Sequence, residues 1–466
     1  MITGLYTDRY ELAMVEVYWR EGRADVPVVF DYFFRTLPYK GGFAIFAGAQ
    51  TLVEALESFR FGNDELGFLR REGFDPDFLE FLRKFRFRGS IWMPLEGEII
   101  FPVEPIARVE GGLLEVQIIE SLLLNILNFQ TLIATKAARC CLAARGRTVA
   151  EFGLRRAQGL ASRWATRAAM IGGCVSTSNL DAAAWYGLRT AGTMAHSFVQ
   201  SYESELEAFR SFAAVHGPET VLLLDTYDTL RSGLPNALIV ARELAVRGIR
   251  LAGVRIDSGD LAYQSRVVRN AFDAASFPDV KIIVSNQLDE YIIRSLLEQG
   301  APIDVFGVGT ALVTGHPDGA VDGVYKLAVC NGKPKMKRAD GLAKQTLPGR
   351  KVVSRYIDQE GWIRADAIHL YDESPPTLMV DPHDPTRKIK LGGLRPEPLL
   401  RLVVKEGEVV GPLLDIKAAA AYAKERLQCL PPEHKRFENP HIYDVGISPG
   451  LAALRDKLIT EMMNGA

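Results

Sequence analysis

Four short apolar runs in the middle of the chain restrict the fold more than any other feature. Val221-Leu222-Leu223-Leu224 leads into Asp225-Thr226-Tyr227, and Leu251-Ala252-Gly253-Val254 into Arg255-Ile256-Asp257-Ser258-Gly259-Asp260. Ile282-Ile283-Val284 leads into Ser285-Asn286, and Ile303-Asp304-Val305-Phe306 into Gly307-Val308-Gly309-Thr310. Between them, apolar residues recur at helical spacing: Leu238, Ala241, Leu244 and Ala245; Leu261, Val268, Phe272 and Ala275; Ile292, Ile293, Leu296 and Leu297. Gly248 and Gly300 stand where a left-handed residue closes a helix. Strand–helix units of this length imply parallel βαβ connections, and strands this apolar are covered on both faces. A barrel and a doubly wound sheet both satisfy the pattern; the expected fold is an irregular, TIM-like α/β barrel. In either fold the strand C-termini build the active site, and these ends carry Asp, Arg, Ser, Asn and Gly-x-Gly-Thr.

The flanks read differently. Near the start, Thr7 or Asp8 can cap a helix that presents Leu12, Val15 and Trp19. A strand follows over Val26–Phe34, with Pro27 near its start, then a Gly41-Gly42 turn before Phe43–Ala47. A helical pattern runs from Gly112 to Arg145. After about Arg350, glycine-punctuated strand-like runs give way to a helix over Ala418–Leu427. The expected division is an N-terminal α+β segment over 1–125, a barrel over 126–350 and a C-terminal segment over 351–466. The two terminal segments are expected to build the additional α+β domain.

Charge excludes one class of function. The chain's 55 Lys and Arg against 57 Asp and Glu leave a net −2, unlike a protein that wraps duplex nucleic acid. No uninterrupted apolar window approaches the length of a membrane span, and the N-terminus lacks a signal-peptide pattern. Five cysteines, odd in number and without a Cys-x-x-Cys pair, argue against a disulfide framework or zinc site. The expected location is therefore the cytoplasm, with neither nucleic acid nor membrane as a partner.

Several strand ends can carry chemistry. Gly307-Val308-Gly309-Thr310 offers backbone N–H groups that can cradle a phosphate, or it is a structural turn. Arg255 can grip a carboxylate or phosphate with both prongs, and Asp257 can accept from sugar hydroxyls or help hold Mg²⁺. The competing reading is a structural Arg–Asp pair. His196, after Gly192-Thr193-Met194-Ala195, is one of seven histidines and uninformative by type alone. Phe152-Gly153-Leu154-Arg155-Arg156 pairs an aromatic with two cations and reads equally as an anion site or a solvated helix start. Lys333, Lys335, Lys337, Arg338, Lys344, Arg350 and Lys351 form a basic run, read as a polyphosphate lid or as a solvated face. Gly446-Ile447-Ser448-Pro449-Gly450 has the spelling of a hydrolase elbow, but Pro449 lacks the N–H that an oxyanion hole needs, so it is read as a turn.

Taken together, these segments resemble the nicotinate phosphoribosyltransferase family over nearly the whole chain. The resemblance is carried by Leu5–Leu12, Phe33-Phe34-Arg35, Gly41–Ala44, Thr131–Arg139, Phe152–Gly159, Gly192–Ser197, Asp225-Thr226-Tyr227, Arg231–Asn236, Arg255–Asp260, Val324–Leu327, Lys344–Gly349 and Leu430–Arg436. It implies transfer of phosphoribose from phosphoribosyl pyrophosphate to nicotinate in NAD salvage. It also implies Mg²⁺ as cofactor, and ATP hydrolysis coupled through a phosphohistidine at His196. By the same resemblance, Tyr10 is a ring-stacking residue supplied across a homodimer interface, with Phe152 on the other face of the ring. Thr193 and Arg255 match nicotinate-binding positions, Arg155 and Asp257 match substrate contacts, and Thr310, with Gly307 and Gly309, matches a phosphate site. The chain departs from the family at Leu160-Ala161-Ser162, where Pro-Asp-Gly is expected. It also has Ser178 where nicotinamide-specific relatives place Asp, which favours an acid substrate.

The rival within this chemistry is nicotinamide phosphoribosyltransferase activity. A barrel lyase or aldolase would need a Schiff-base Lys or a His cluster at the strand ends, and the sequence shows neither. A non-catalytic ligand-binding relative would have lost His196, Arg255 or the Gly307–Thr310 turn.

Overall fold

The structure is a computed structural model that describes residues 2–337 and 346–464. The chain forms two compact units, one of Ile133–Gly319 and one of Met1–Leu132 with Ala320–Ala466. The sequence division placed its breaks after residues 125 and 350. In the structure the segment just past Gly319 supplies strand Val324–Cys330, which pairs antiparallel with Pro27–Phe33 and so belongs with the termini.

The middle unit is built on six parallel strands: β1 (Thr148–Glu151), β2 (Ser176–Thr177), β3 (Val221–Leu223), β4 (Gly253–Ile256), β5 (Lys281–Val284) and β6 (Val305–Val308). Their order is β2-β1-β6-β5-β4-β3, an open, curled half-barrel. The four strands read from the sequence are β3 to β6. β1 and β2 escaped because four residues of Thr-Val-Ala-Glu and a two-residue strand show no usable period.

Helices α1 (Leu160–Ile171), α2 (Leu180–Tyr186), α3 (His196–Gln200), α4 (Glu205–His216), α5 (Leu234–Val246), α6 (Leu261–Ala274), α7 (Glu290–Glu298) and α8 (Thr310–Val313) fill the connections. Polar residues just past the strand ends start several of them. Asn179 caps α2, Asp260 caps α6 through the Tyr263 N–H, and Asp289 caps α7, each worth about 1 kcal/mol. Gly248 and Gly300 take positive φ after α5 and α7, as their spacing predicts. Val149, Leu222, Val254, Ile256, Ile282, Val284, Phe306 and Val308 are buried along the sheet. Burial of side chains of this kind contributes roughly 1.5–3 kcal/mol each.

The terminal unit is α+β and mixes both ends of the chain, as expected. Among its described residues, one seven-stranded sheet joins Pro27–Phe33 and Ala107–Gly112 to Val324–Cys330 and Arg401–Lys405. A six-stranded sheet is made wholly of later residues, including Lys351–Ile357, Ile363–Leu370 and Asp444–Ile447. Ser448 lies between this last strand and helix Pro449–Asn464, where its hydroxyl donates to Glu373 and accepts from the Leu451 N–H. The hydrolase-like spelling is a helix start.

The basic run divides. Lys333, Lys335 and Lys337 are exposed, and Arg338 and Lys344 lie outside the described residues. Arg350 and Lys351 are neither a lid nor a solvated face. Arg350 bonds Glu110 at 2.7 Å and stacks over Tyr371, while buried Lys351 pairs with Asp31 at 2.7 Å. The stretch Leu113–Ala143, interrupted by polar residues such as Asn125 and Asn128, is by length and mean hydropathy enough to cross a membrane, yet 67% of its apolar window is buried inside the protein. It is packed as a core helix.

Candidate active site

The C-terminal ends of β3, β4 and β5 meet the segment that enters α3. Arg255, near the end of β4, is held on three sides. Its Nε donates to Ser285 Oγ at 2.9 Å, Nη1 to Thr193 Oγ1 at 3.1 Å, and Nη2 lies 2.8 Å from Asp257 Oδ1. The Ser285 hydroxyl also donates to Asp257. A guanidinium fixed this way keeps its planar fork in one orientation, which a lysine ammonium does not do. The structural Arg–Asp pair of the sequence reading is present, and it orients Arg255.

His196 is the first residue of α3. Its Nδ1 lies 3.2 Å from Thr226 Oγ1, and its Nε2 lies 3.8 Å from Asp257 Oδ2. Asp257 thus faces the arginine with one oxygen and the histidine with the other. Asp225, just past β3, accepts from the Asp257 N–H at 3.2 Å and from the Ser258 hydroxyl at 2.5 Å. Its second oxygen, Oδ1, is buried without a hydrogen-bond partner among the described residues.

At the β1–β6 side, the Phe152 N–H bonds the Val308 carbonyl at 2.8 Å, and the Phe152 ring lies over Gly307. Gly309 passes close to the Phe152 carbonyl, and exposed Thr310 opens the short helix α8. Arg155 sits on the exposed turn after β1. The structure therefore joins Thr193, His196, Arg255 and Asp257 in one hydrogen-bonded and electrostatic cluster. Phe152, Gly307, Gly309 and Thr310 form a second cluster. Tyr10 belongs to the terminal unit, exposed on helix Arg9–Arg20, where desolvation and the Glu120 carboxylate push its phenol up.

Asp225, Thr226 and Ser285 also belong to the first cluster, and Glu151 holds the turn beside the second. The signal for the first three was present, since Asp225 and Ser285 directly follow apolar strand runs and Thr226 comes next after Asp225. Glu151 had no signal because β1 itself was not legible.

The resemblance implies Mg²⁺, and the donor chemistry fits it. The unpartnered Asp225 Oδ1 and the neighbouring Asp257 carboxylate are hard oxygen ligands of the kind Mg²⁺ takes. Among the described residues no three His, Cys, Asp or Glu side chains converge as a metal cage.

Three family models match this chain in succession. They are the nicotinate phosphoribosyltransferase (NAPRTase) N-terminal domain over residues 5–128, the nicotinate phosphoribosyltransferase (NAPRTase) family over 148–361 and the nicotinate phosphoribosyltransferase C-terminal domain over 350–455. The chain belongs to the nicotinate phosphoribosyltransferase family. A nicotinate phosphoribosyltransferase of Bacillus subtilis (strain 168) is 42% identical over 455 residues, covering 95% of this chain and 92% of its own length. One from Homo sapiens is 35% identical over 517 residues, covering 97% and 96%. The crystal structure of human nicotinic acid phosphoribosyltransferase superposes with a TM-score of 0.87 at 34% identity, covering 97% of this chain and 99% of that one. Within this nicotinate phosphoribosyltransferase fold, the half-barrel strand ends hold both residue clusters.

Proposed function

We propose that the chain transfers phosphoribose from phosphoribosyl pyrophosphate to nicotinate, releasing pyrophosphate and making nicotinate mononucleotide for NAD salvage. The observation that carries this reading is the Arg255 fork, pinned by Thr193, Ser285 and Asp257 at a strand end. A fixed guanidinium beside a hydroxyl is built for a carboxylate, and nicotinate differs from nicotinamide in having one. The nicotinamide alternative is not favoured, and the similar proteins are named for nicotinate.

In the reaction the C1–oxygen bond to pyrophosphate breaks as the pyridine nitrogen bonds C1, through a transition state with positive charge on the ribose. Arg255 and Thr193 hold the nicotinate carboxylate, while the Phe152 ring supports one face of the pyridine. A tyrosine at position 10, supplied by a second copy in a homodimer, covers the other. Fixing the ring this way converts a bimolecular encounter into a positioned attack. Gly309 and Thr310, with Gly307 behind them, take the phosphoribosyl 5′-phosphate, and Arg155 from its exposed turn contacts substrate. Asp225 and Asp257 would hold Mg²⁺, which would supply positive charge to the leaving pyrophosphate.

ATP hydrolysis is coupled at His196. With Nε2–H turned toward Asp257, Nδ1 carries the lone pair that attacks the γ-phosphorus, and ADP leaves. The Asp257 carboxylate stabilises the positive charge gained by the ring, as an acidic partner does for a reacting histidine. Free cysteines at all five positions accord with a reducing, cytoplasmic setting.

The test is transfer of label from ATP radiolabelled in its γ-phosphate to the protein. The reading expects acid-labile label in the wild type and none in His196→Ala, with the ATP stimulation of product formation lost. Equal label in both proteins contradicts the role of His196.

A further inference from the structure

We infer that Glu151 is a positioning residue for the pyridine side of the site. The inference rests on the proposed nicotinate reading and on the assignment of Phe152 as a ring support.

Glu151 ends β1 and is fully buried, as are Thr166, Thr177 and Asn179 around it. Its carboxylate accepts from the Gly153 N–H, from Thr166 Oγ1 at 3.0 Å and from Thr177 Oγ1 at 2.5 Å. Behind these hydroxyls stands Asn179, whose side-chain amide donates to Thr166 Oγ1 at 3.2 Å and whose backbone N–H donates to Thr177 Oγ1 at 2.9 Å. Each threonine hydroxyl therefore receives from Asn179; Thr177 passes its proton to Glu151, and Thr166 shares its proton between Glu151 and the Ser162 carbonyl, each at 3.0 Å. Both chains of donors reach Glu151, which accepts throughout and donates nothing.

Three segments are joined at this one carboxylate. Through Gly153 it fixes the turn that carries Phe152, through Thr166 it holds α1, and through Thr177 it holds the end of β2. The Glu151 carbonyl also takes the Ser178 N–H at 2.9 Å. The turn has little freedom elsewhere: a side chain at Gly153 would strike Val313, and one at Gly307 would strike the Phe152 ring. Glu151 thus sets where the ring stands without touching substrate.

Polarity, more than shape, is what the network demands. Glutamine keeps the volume but replaces one acceptor oxygen with an NH₂ donor, which faces hydroxyls that already receive from Asn179. The expected loss falls chiefly on nicotinate binding, because the Gly153 N–H that the carboxylate fixes adjoins Phe152.

The experiment measures KM for nicotinate, KM for phosphoribosyl pyrophosphate, kcat and the melting temperature in wild type, Phe152→Ala, Glu151→Gln, Thr177→Val and Thr177→Ser. Glu151→Gln is expected to raise KM for nicotinate about tenfold while leaving KM for phosphoribosyl pyrophosphate within about twofold. Thr177→Val is expected to follow it in the same direction, and Thr177→Ser, which keeps the hydroxyl, to behave as wild type. If Glu151→Gln does not fold, the Thr177 pair decides. Equal shifts in both KM values, or a lowered melting temperature with unchanged KM values, overturn the positioning role. A wild type that makes no product from nicotinate overturns the underlying reading instead. A normal wild type with an impaired Phe152→Ala and an unaltered Glu151→Gln overturns this inference alone.

Discussion

The Phe152 ring occupies the space where Gly307 has no side chain. A Cβ built on Gly307 would stand 2.5 Å from the ring, closer than two carbons can approach. Glycine is required at 307 by this packing, even though the sequence presented it as part of a phosphate turn. Gly307→Ala must displace the ring or the strand, at a cost of about 1–3 kcal/mol. The expected outcome is a rise of about tenfold or more in KM for nicotinate, read by steady-state kinetics. An unchanged KM would mean that the ring is not a substrate support.

Arg255→Lys tests the fork. Lysine keeps the charge but cannot bond Ser285, Thr193 and Asp257 together in one plane. A fall of about 100-fold in kcat/KM with nicotinate is expected, equivalent to roughly 2.7 kcal/mol of transition-state stabilisation. Activity close to wild type would show that charge alone is enough.

Much of this arrangement is legible in the sequence. Strands β3 to β6 announced themselves because each apolar run stops abruptly at a polar residue, and that stop marks the catalytic edge of a parallel sheet. Arg255, Asp257 and Thr310 follow from that edge. The resemblance to a family, rather than spacing, singled out His196, Thr193 and Tyr10. What stayed hidden has a physical cause. β1 and β2 are short, so the buried network around Glu151 had no pattern to betray it. The basic run misled because Lys351 and Arg350 are neutralised by Asp31 and Glu110, far away in sequence. Long-range pairing of this kind leaves no local signature.

Stability of the middle unit depends on a buried charge group. Glu290 lies 2.5 Å from Lys136 and 2.7 Å from Arg139, all three almost completely buried. Burial alone would raise the Glu290 carboxyl, but the two cations outweigh it and hold it below its ordinary value. Its contribution is therefore present above the unfolded glutamate value of about 4.3 and fades as pH falls through the lower folded value. Glu290→Ala leaves two cations without this partner and is expected to cost about 3–5 kcal/mol in denaturant unfolding at neutral pH. A loss below about 1 kcal/mol would contradict a buried pair of this kind.

Glu11 behaves in the opposite sense. Burial pushes its carboxyl up to about 7, against hydrogen bonds from Ser121 and Thr7, with Glu120 adding to the rise. A folded value above the unfolded one means that folding takes up a proton between the two. Stability therefore falls as pH rises from about 4.5 to about 7 and is flat with respect to this group above that. Melting curves should show Glu11→Gln gaining on wild type across that interval. A difference that does not vary with pH would place the Glu11 titration elsewhere.

Base selectivity separates the acid from the amide substrate outright. Purified protein is supplied with phosphoribosyl pyrophosphate, Mg²⁺ and ATP, with either nicotinate or nicotinamide, and the mononucleotide product is identified by mass. Nicotinate mononucleotide and pyrophosphate are expected from the acid, with the amide turned over at least about 100-fold less efficiently for want of the carboxylate proposed to bind Arg255. Preferential formation of nicotinamide mononucleotide, or no product from either base, would contradict the proposed function.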